Sequence, residues 1–135
     1  MEIQRRVYGM ENLTTIHYMM NDAEIKAGMG FLEEAETMSL SLLDLEHRLI
    51  GPDSPEAAET TYNLGTIKLK QGKRKEALSL LGHAIDHGLL PREALGIPKD
   101  PDWRALHGDP QFDALVAHAT LLARQGSAAH PPRPN

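Results

Sequence analysis

An internal repeat of 42 residues constrains the fold of this chain more than any other feature. When residues 6–46 are aligned with residues 48–88, nine of the 41 pairs are identical, whereas ordinary composition gives about two or three. The identical pairs include Asn21 with Asn63 and Gly30 with Gly72. A period of this length is typical of proteins that stack copies of one supersecondary unit. The chain is therefore expected to be a repeat protein.

Each copy of the repeat carries the signals of two helices joined by a tight turn. In the second copy, Ser54 followed by Pro55 combines an N-cap with a first-turn proline, which starts a helix. Gly72 permits the left-handed turn that ends this helix. The predicted helices span about residues 13–27 and 31–49 in the first copy, and about 55–71 and 73–87 in the second. Ala35 and Ala77 mark a close approach between helices.

The composition favours helices and excludes several classes of protein. Only 4% of the residues are aromatic, and no cysteine is present, which excludes disulfides, thiolate metal sites and cysteine nucleophiles. No apolar run approaches the ~20 residues that span a bilayer. The first nine residues lack the apolar segment of a secretory signal. We therefore expect a cytoplasmic protein without membrane association.

The net charge of −5 does not favour nucleic-acid binding. The one basic stretch, residues 68–75, lies in an acidic chain and has no interleaved aromatic residues. Lys68 and Lys70 fall in the last turn of a predicted helix, where cations interact favourably with the helix dipole. This stretch is therefore interpreted as a solvated helix end, and no nucleic-acid partner is predicted.

Several residues of the second copy together resemble the tetratricopeptide repeat: Asn63-Leu64-Gly65, Gly72, Glu76-Ala77 and Ala84. The 42-residue period, the linker 49–56 and the acidic run 33–36 resemble the kinesin-light-chain-like subclass. Departures from the family pattern are Asp22 in place of Leu, and Lys26 and Lys68 in place of aromatic residues. The resemblance implies an all-α fold in which two helix-turn-helix repeats stack as a right-handed α-solenoid.

The repeats are predicted to occupy residues 1–90, as a partial unit 1–9 and full units 10–51 and 52–90. Residues 1–8 align with the end of a second helix, so the chain is expected to be a fragment of a longer array. A helical cap is predicted over 91–124, resembling the closing segment of many bacterial tetratricopeptide arrays, and a disordered tail over 125–135. Asp100-Pro101 and Asp109-Pro110 each start a helix of the cap, the second reaching about Ala123. Phe112, Leu115 and Val116 would cover the last repeat.

No residue pattern predicts catalysis, a cofactor or a metal. His83 and His87 share a helical face and could be joined by Asp86, but the zinc-protease pattern is absent and the helix end explains His87. Ser39, Ser41 and Ser79 lie on helices without the glycine-flanked elbow of nucleophilic serines. The chain is therefore not expected to be an enzyme.

The first helices of the two repeats would form a concave groove. By helical spacing, the groove would present His17, Met20, Asn21 and Glu24 from one helix, and Glu59, Tyr62, Asn63, Thr66 and Leu69 from the other. The family resemblance implies that Asn21 and Asn63 can hydrogen-bond an extended peptide, and an amide both donates and accepts. Alternatively, the two asparagines only tie neighbouring helices together, and Met20 and Tyr62 only pack.

The sequence thus predicts a non-catalytic scaffold that binds a peptide or helix of another protein. Two repeats are fewer than the ~3 that usually suffice for stability, so self-association through the N-terminal repeat edge is expected as well. Two alternatives stay open: the C-terminal segment of a larger bacterial signalling protein, such as a serine/threonine kinase, or a purely structural unit for homo-oligomerisation.

Overall fold

The computed structural model describes residues 2–128, with side chains described for residues 13–126, and all regular secondary structure in this range is helical. The α-helices are α1 (Glu2–Gly28), α2 (Leu32–Leu49), α3 (Pro55–Lys70), α4 (Arg74–Asp86), α5 (Pro91–Gly96) and α6 (Pro110–Ala128). Two short 3-10 helices, Ile97–Lys99 and Pro101–Leu106, lie between α5 and α6. Within residues 2–128, no helix combines the length and the apolar character that crossing a bilayer requires.

The four long helices before α5 form two stacked helical hairpins, as the repeat predicts. α1 packs on α2, α3 packs on α4, and α2 packs on α3, while α1 also touches α3. The hydroxyl of Ser54 accepts a hydrogen bond from the Ala57 amide at 3.1 Å, which confirms the predicted cap of α3. Gly72 has φ +81°, which confirms the predicted left-handed turn between α3 and α4.

The linker between the hairpins packs directly against the end of α4. Gly88 has φ +118°, and a Cβ atom there would lie 2.5 Å from the carbonyl oxygen of Asp53. Glycine is therefore required at this position both by backbone conformation and by space. The close approach fixes the linker, and with it the position of one hairpin relative to the next.

The hydrophobic core is continuous from the second hairpin into the C-terminal segment. Ala35 and Ala77 are fully buried, as the predicted close approach of helices requires. In the first hairpin, Ile16, Met20 and Leu42 form a small core. The larger core comprises Ala77, Leu78, Leu81, Ile85, Ala94, Ile97, Trp103, Leu106, Phe112, Ala119 and Ala123. Most of the buried apolar volume thus joins the second repeat to the cap.

The two Asp-Pro helix starts of the cap form as predicted. The Asp100 carboxylate accepts a hydrogen bond from the Asp102 amide at 2.9 Å, and the Asp109 carboxylate accepts bonds from the amides of Gln111 and Phe112 at 2.9 and 3.0 Å. Leu115 and Val116 pack against the larger core, so they cover the last repeat as expected. The sequence prediction did not include the one-turn helix α5, although its first residue, Pro91, is a usual helix-start signal.

The structure departs from the predicted boundaries at both ends of the chain. α1 runs without interruption through Gly9, so the predicted separate unit 1–9 is part of α1. A single glycine costs a helix about 1 kcal/mol, which does not end it when no proline follows. α6 continues past Ala123 to Ala128, so residues 125–128 of the predicted disordered tail are helical. Residues 129–135 lie outside the described residues.

Candidate functional site

A cavity of about 310 Å³ opens between α1, α2 and α3. Its apolar wall includes Met20, Ala23, Leu42 and Ile67, and its polar lining includes Ser39, Thr60 and Thr66. Around these lie Glu24, Ala27, Gly28, Tyr62, Asn63, Lys70, Asp100 and Asp102. Both helices of the first repeat and the first helix of the second repeat contribute. The cap contributes as well, through its 3-10 helix at Pro101–Leu106 and the Asp100 that precedes it.

A second cavity of about 340 Å³ adjoins the first, because Tyr62, Asn63 and Asp100 line both. Its remaining lining residues are Glu59, Leu89, Glu93, Gly96 and Lys99. We call the two cavities together the α1–α3 groove. The groove follows the first helices of the repeats and ends against the C-terminal segment.

Tyr62 holds the cap against one side of the groove. Its hydroxyl donates a hydrogen bond to the Asp100 carboxylate at 2.6 Å, and its ring centroid lies 5.8 Å from that of Trp103. Burial and the neighbouring Asp100 carboxylate raise the pKa of Tyr62, so the phenol stays protonated and donates at neutral pH. The tyrosine predicted as a groove contact is thus also the link between repeat and cap.

Asn63 ties two helices together in the structure. Its side-chain amide donates a hydrogen bond to the Glu24 carboxylate at 3.0 Å, from α3 to α1. This is the geometry of the alternative interpretation, in which asparagine joins neighbouring helices. The amide also lines both cavities, so the same side chain lies where a ligand in the groove would contact it.

The structure places the other predicted groove residues in three different settings. Met20, Glu24 and Thr66 line the first cavity, and Glu59 lines the second. Leu69 packs against the larger core. His17 and Asn21 are exposed and line neither cavity. Of the four residues predicted on α1, Met20 and Glu24 thus line a cavity, whereas His17 and Asn21 do not.

The sequence prediction missed polar residues that the groove contains. Ser39 and Thr60 are 1% and 2% exposed and line the first cavity, and their polarity on otherwise apolar helix faces was a usable signal. Asp100, Asp102 and Glu93 come from the C-terminal segment. Their position over α3 depends on tertiary packing, and no local pattern in the sequence indicates it.

The acidic residues of the second cavity repel one another. Burial raises the pKa of Glu59, and the charges of Glu93 and Glu24 raise it further. Burial likewise raises the pKa of Glu93, while Arg92 partly offsets it. Arg92 also lowers the pKa of Glu59, but at both carboxyl groups the cost of burial outweighs the favourable charge of Arg92.

The basic stretch at the end of α3 is not simply a solvated helix end. The Lys68 side chain is only 14% exposed and forms ion pairs with Glu36 of α2 and, at 3.1 Å, with Glu76 of α4. Gln71 donates a hydrogen bond to the same Glu36 carboxylate at 3.1 Å. The prediction was wrong for Lys68 because its partners lie on two other helices. Lys68 joins three helices, and the two carboxylates neutralise its charge, so it is not available to bind a polyanion.

The histidines that invited a metal hypothesis have other partners. The rings of His83 and His87 stack with centroids 4.2 Å apart, and His87 Nδ1 lies 2.8 Å from the Asp53 carboxylate. Asp86, the third candidate ligand, instead contacts His118 Nε2 at 2.9 Å. Over the part of the chain that the structure describes, no group of three His, Asp or Glu side chains could hold a metal ion.

Stacked helix-turn-helix repeats with a groove along their first helices define the class of the chain as an α-solenoid repeat protein. The family model of the tetratricopeptide repeat matches residues 14–87, which is more than half of the chain. The chain therefore belongs to the tetratricopeptide repeat family, a family that generally mediates protein–protein interaction. Comparison with curated proteins and with solved structures gave no match.

Proposed function

We propose that the chain is a non-catalytic scaffold whose α1–α3 groove binds an extended segment or a helix of another protein. The observation that carries the proposal is the groove itself, which combines an apolar wall with polar groups contributed by both repeats and the cap. Recognition sites of this kind use the wall for affinity and the few polar groups for orientation. The 42-residue period further supports a place in the kinesin-light-chain-like subclass.

Filling the groove is expected to abolish peptide binding. Ala27 is half-buried on the last turn of α1 and lines the first cavity, so Ala27→Phe would place a ring in the opening without replacing a core residue. Ala117 is exposed on α6, and Ala117→Phe is the matched control. Peptides of about ten residues, selected from a displayed random library on the wild type, should bind Ala27→Phe at least tenfold more weakly.

Equal binding of the selected peptides to the wild type and to both variants would contradict recognition in the groove. Loss of binding in both variants would contradict it as well, since the control ring lies outside the groove. Circular dichroism of each variant checks that its helical content equals that of the wild type.

We further propose that the N-terminal edge of the repeats pairs with a second copy of the chain. Its support is a set of large apolar side chains exposed on α1 and the following turn: Leu13, Tyr18, Ile25, Met29 and Phe31, with Tyr18 70% and Met29 65% exposed. These are five of the eleven large apolar side chains exposed among the described residues, and exposed apolar surface that collects on one element is typical of protein contacts. A terminal repeat usually needs cover on its open face.

The proposal of self-association predicts a dimer that a charged side chain introduced at the N-terminal edge would disrupt. Ile25→Glu should shift the sedimentation equilibrium toward the monomer by at least tenfold in the dissociation constant. Leu121 is a similarly exposed apolar residue on α6, so Leu121→Glu is the control and should leave the equilibrium unchanged. A wild type that sediments as a monomer at all concentrations would rule the proposal out.

A further inference from the structure

The α1–α3 groove carries more acidic than basic side chains. Five carboxylates line its two cavities, against two ammonium groups. The carboxylates are Glu24, Glu59, Glu93, Asp100 and Asp102, and the ammonium groups are Lys70 and Lys99. Lys70 lies 3.9 Å from Asp102, which offsets one of the five negative charges. A ligand in the groove therefore meets a net negative potential.

Four of these carboxylates lack an ion-pair partner. Among the side chains of residues 13–126, no basic group lies within ion-pairing distance of Glu24, Glu59, Glu93 or Asp100. Some acids elsewhere on the molecule do have partners: Glu36 pairs with Lys68, and Asp44 pairs with Arg48 at 3.1 Å. The groove thus holds four carboxylates that no ion pair neutralises, although Arg92 acts on Glu59 and Glu93 from beyond ion-pairing distance.

Buried polar atoms in the groove also lack hydrogen-bond partners. Thr60 is 2% exposed and lines the first cavity, and its Oγ1 atom accepts and donates no hydrogen bond among the described residues. The Oε2 atom of Glu93, in the second cavity, is buried and unpaired as well. Such atoms are rare in folded proteins because leaving them unpaired costs about 1–3 kcal/mol each. A ligand with hydrogen-bond donors would satisfy the Glu93 oxygen, whereas the Thr60 hydroxyl lies close enough to the Glu46 carboxyl to lower its pKa.

We infer that the α1–α3 groove selects an extended segment of another protein that inserts a lysine or arginine side chain between its carboxylates. This inference rests on the proposed function. In the first cavity, the aliphatic stem of such a side chain would lie against Met20, Leu42 and Ile67 and its cationic head would reach Glu24. In the second cavity, the head would reach the pair Glu59 and Glu93. The head would relieve the mutual repulsion of these acids and donate hydrogen bonds to their oxygens.

The test uses the composition of the peptides selected from the displayed library. Peptides that bind the wild type but not Ala27→Phe should be enriched at least threefold in lysine and arginine over the unselected library, and depleted in aspartate and glutamate. Enrichment for neutral or acidic peptides that still require an open groove would overturn the charge inference and leave the proposed function standing. If no peptide required an open groove, both would fail.

A variant that neutralises two groove carboxylates tests directly whether their charge contributes to binding. Glu59→Gln/Glu93→Gln removes two charges that repel each other, so the fold should not suffer, and the selected basic peptide should bind about tenfold more weakly. The control Glu33→Gln/Asp113→Asn neutralises two exposed acids outside the groove and should bind as the wild type does. Equal affinity in both double variants would overturn the inference.

One further outcome identifies a different occupant. If the wild type forms a dimer that Glu59→Gln/Glu93→Gln dissociates, the groove holds the basic stretch 68–75 of a second copy. That result would overturn the assignment to a segment of another protein. A dimer that responds to Ile25→Glu and not to the double variant supports the groove assignment, because self-association then uses a separate surface.

Discussion

Trp103→Ala is expected to destabilise the protein by about 3–5 kcal/mol, the usual cost of removing a fully buried aromatic side chain. The indole is 0% exposed and stacks on Phe112 with centroids 6.0 Å apart and planes 8° apart. Its edge lies 3.4 Å from where a Cβ on Gly65 would be, so α3 has space for the ring because residue 65 lacks a side chain. The ring thus connects the second repeat, the 3-10 helix and α6.

This loss is a large fraction of the free energy of unfolding, because a domain of this size is stabilised by only about 5–15 kcal/mol in total. Urea unfolding followed by circular dichroism measures it, since the variant has no tryptophan left to report fluorescence. Leu121 is half-exposed on α6, and Leu121→Ala should change the free energy of unfolding by less than about 0.5 kcal/mol. A loss below about 1 kcal/mol for Trp103→Ala would mean that the C-terminal segment folds independently of the repeats.

Glu46→Gln is expected to stabilise the protein at neutral and higher pH. Glu46 is on the buried face of α2 and is 0% exposed, and neither of its carboxylate oxygens has a hydrogen-bond partner among the described residues. Burial, with smaller contributions from Glu56 and Glu59, raises the pKa of Glu46 to about 7. The Thr60 hydroxyl counteracts part of this rise, although neither group completes a hydrogen bond.

The sign of the pH dependence follows from the raised pKa. The unfolded chain ionises Glu46 near its ordinary pKa of 4.5, whereas the folded chain holds the proton until about pH 7. Holding this proton stabilises the folded chain relative to the unfolded chain. This stabilisation is fully present below about pH 4.5, and it is lost as the pH rises through about 7. A tenfold difference in acidity between the folded and the unfolded chain corresponds to about 1.4 kcal/mol, so the loss is about 3 kcal/mol at most.

Urea unfolding at several values between about pH 5 and pH 8 tests this dependence. Glutamine keeps the shape of the side chain and cannot ionise. The free energy of unfolding of Glu46→Gln should therefore not fall between about pH 5 and pH 8, whereas that of the wild type should. At about pH 8 it should exceed the wild type by roughly 2 kcal/mol. The exposed control Glu33→Gln should follow the wild type. Parallel pH profiles for the wild type and Glu46→Gln would show that Glu46 is not the buried acid responsible.

The helix boundaries that local chemistry determines could be predicted from the sequence. Ser54 and Gly72 each act within a few residues of the chain, and α2, α3 and α4 begin and end within one residue of their predicted bounds. The caps at Asp100 and Asp109 belong to the same category. α1 and α6 were predicted too short because no proline ends the helix near Gly9 or Ala123, and the neighbouring turns extend it.

The groove could be predicted only in part, because its charges come from segments far apart in the chain. Spacing along α1 and α3 selected Glu24, Tyr62 and Asn63, which line the groove cavities. It could not place Asp100, whose carboxylate reaches the Tyr62 hydroxyl 38 positions away. Lys68 shows the same limit, since its partner Glu36 is 32 positions away on another helix. Asp22 and Lys26 both depart from the family pattern. They form an ion pair at 3.2 Å within α1, so their charges compensate each other.

The most direct test of peptide binding in the α1–α3 groove is an NMR titration of the isotope-labelled protein with a peptide selected on the wild type. We expect the largest amide shift changes along the groove side of α1 and α3, around Ala23, Glu24 and Asn63, and a signal change at the Trp103 indole through Tyr62. Changes confined to the outer faces of α2 and α6, or to the exposed edge around Tyr18, would contradict recognition in the groove.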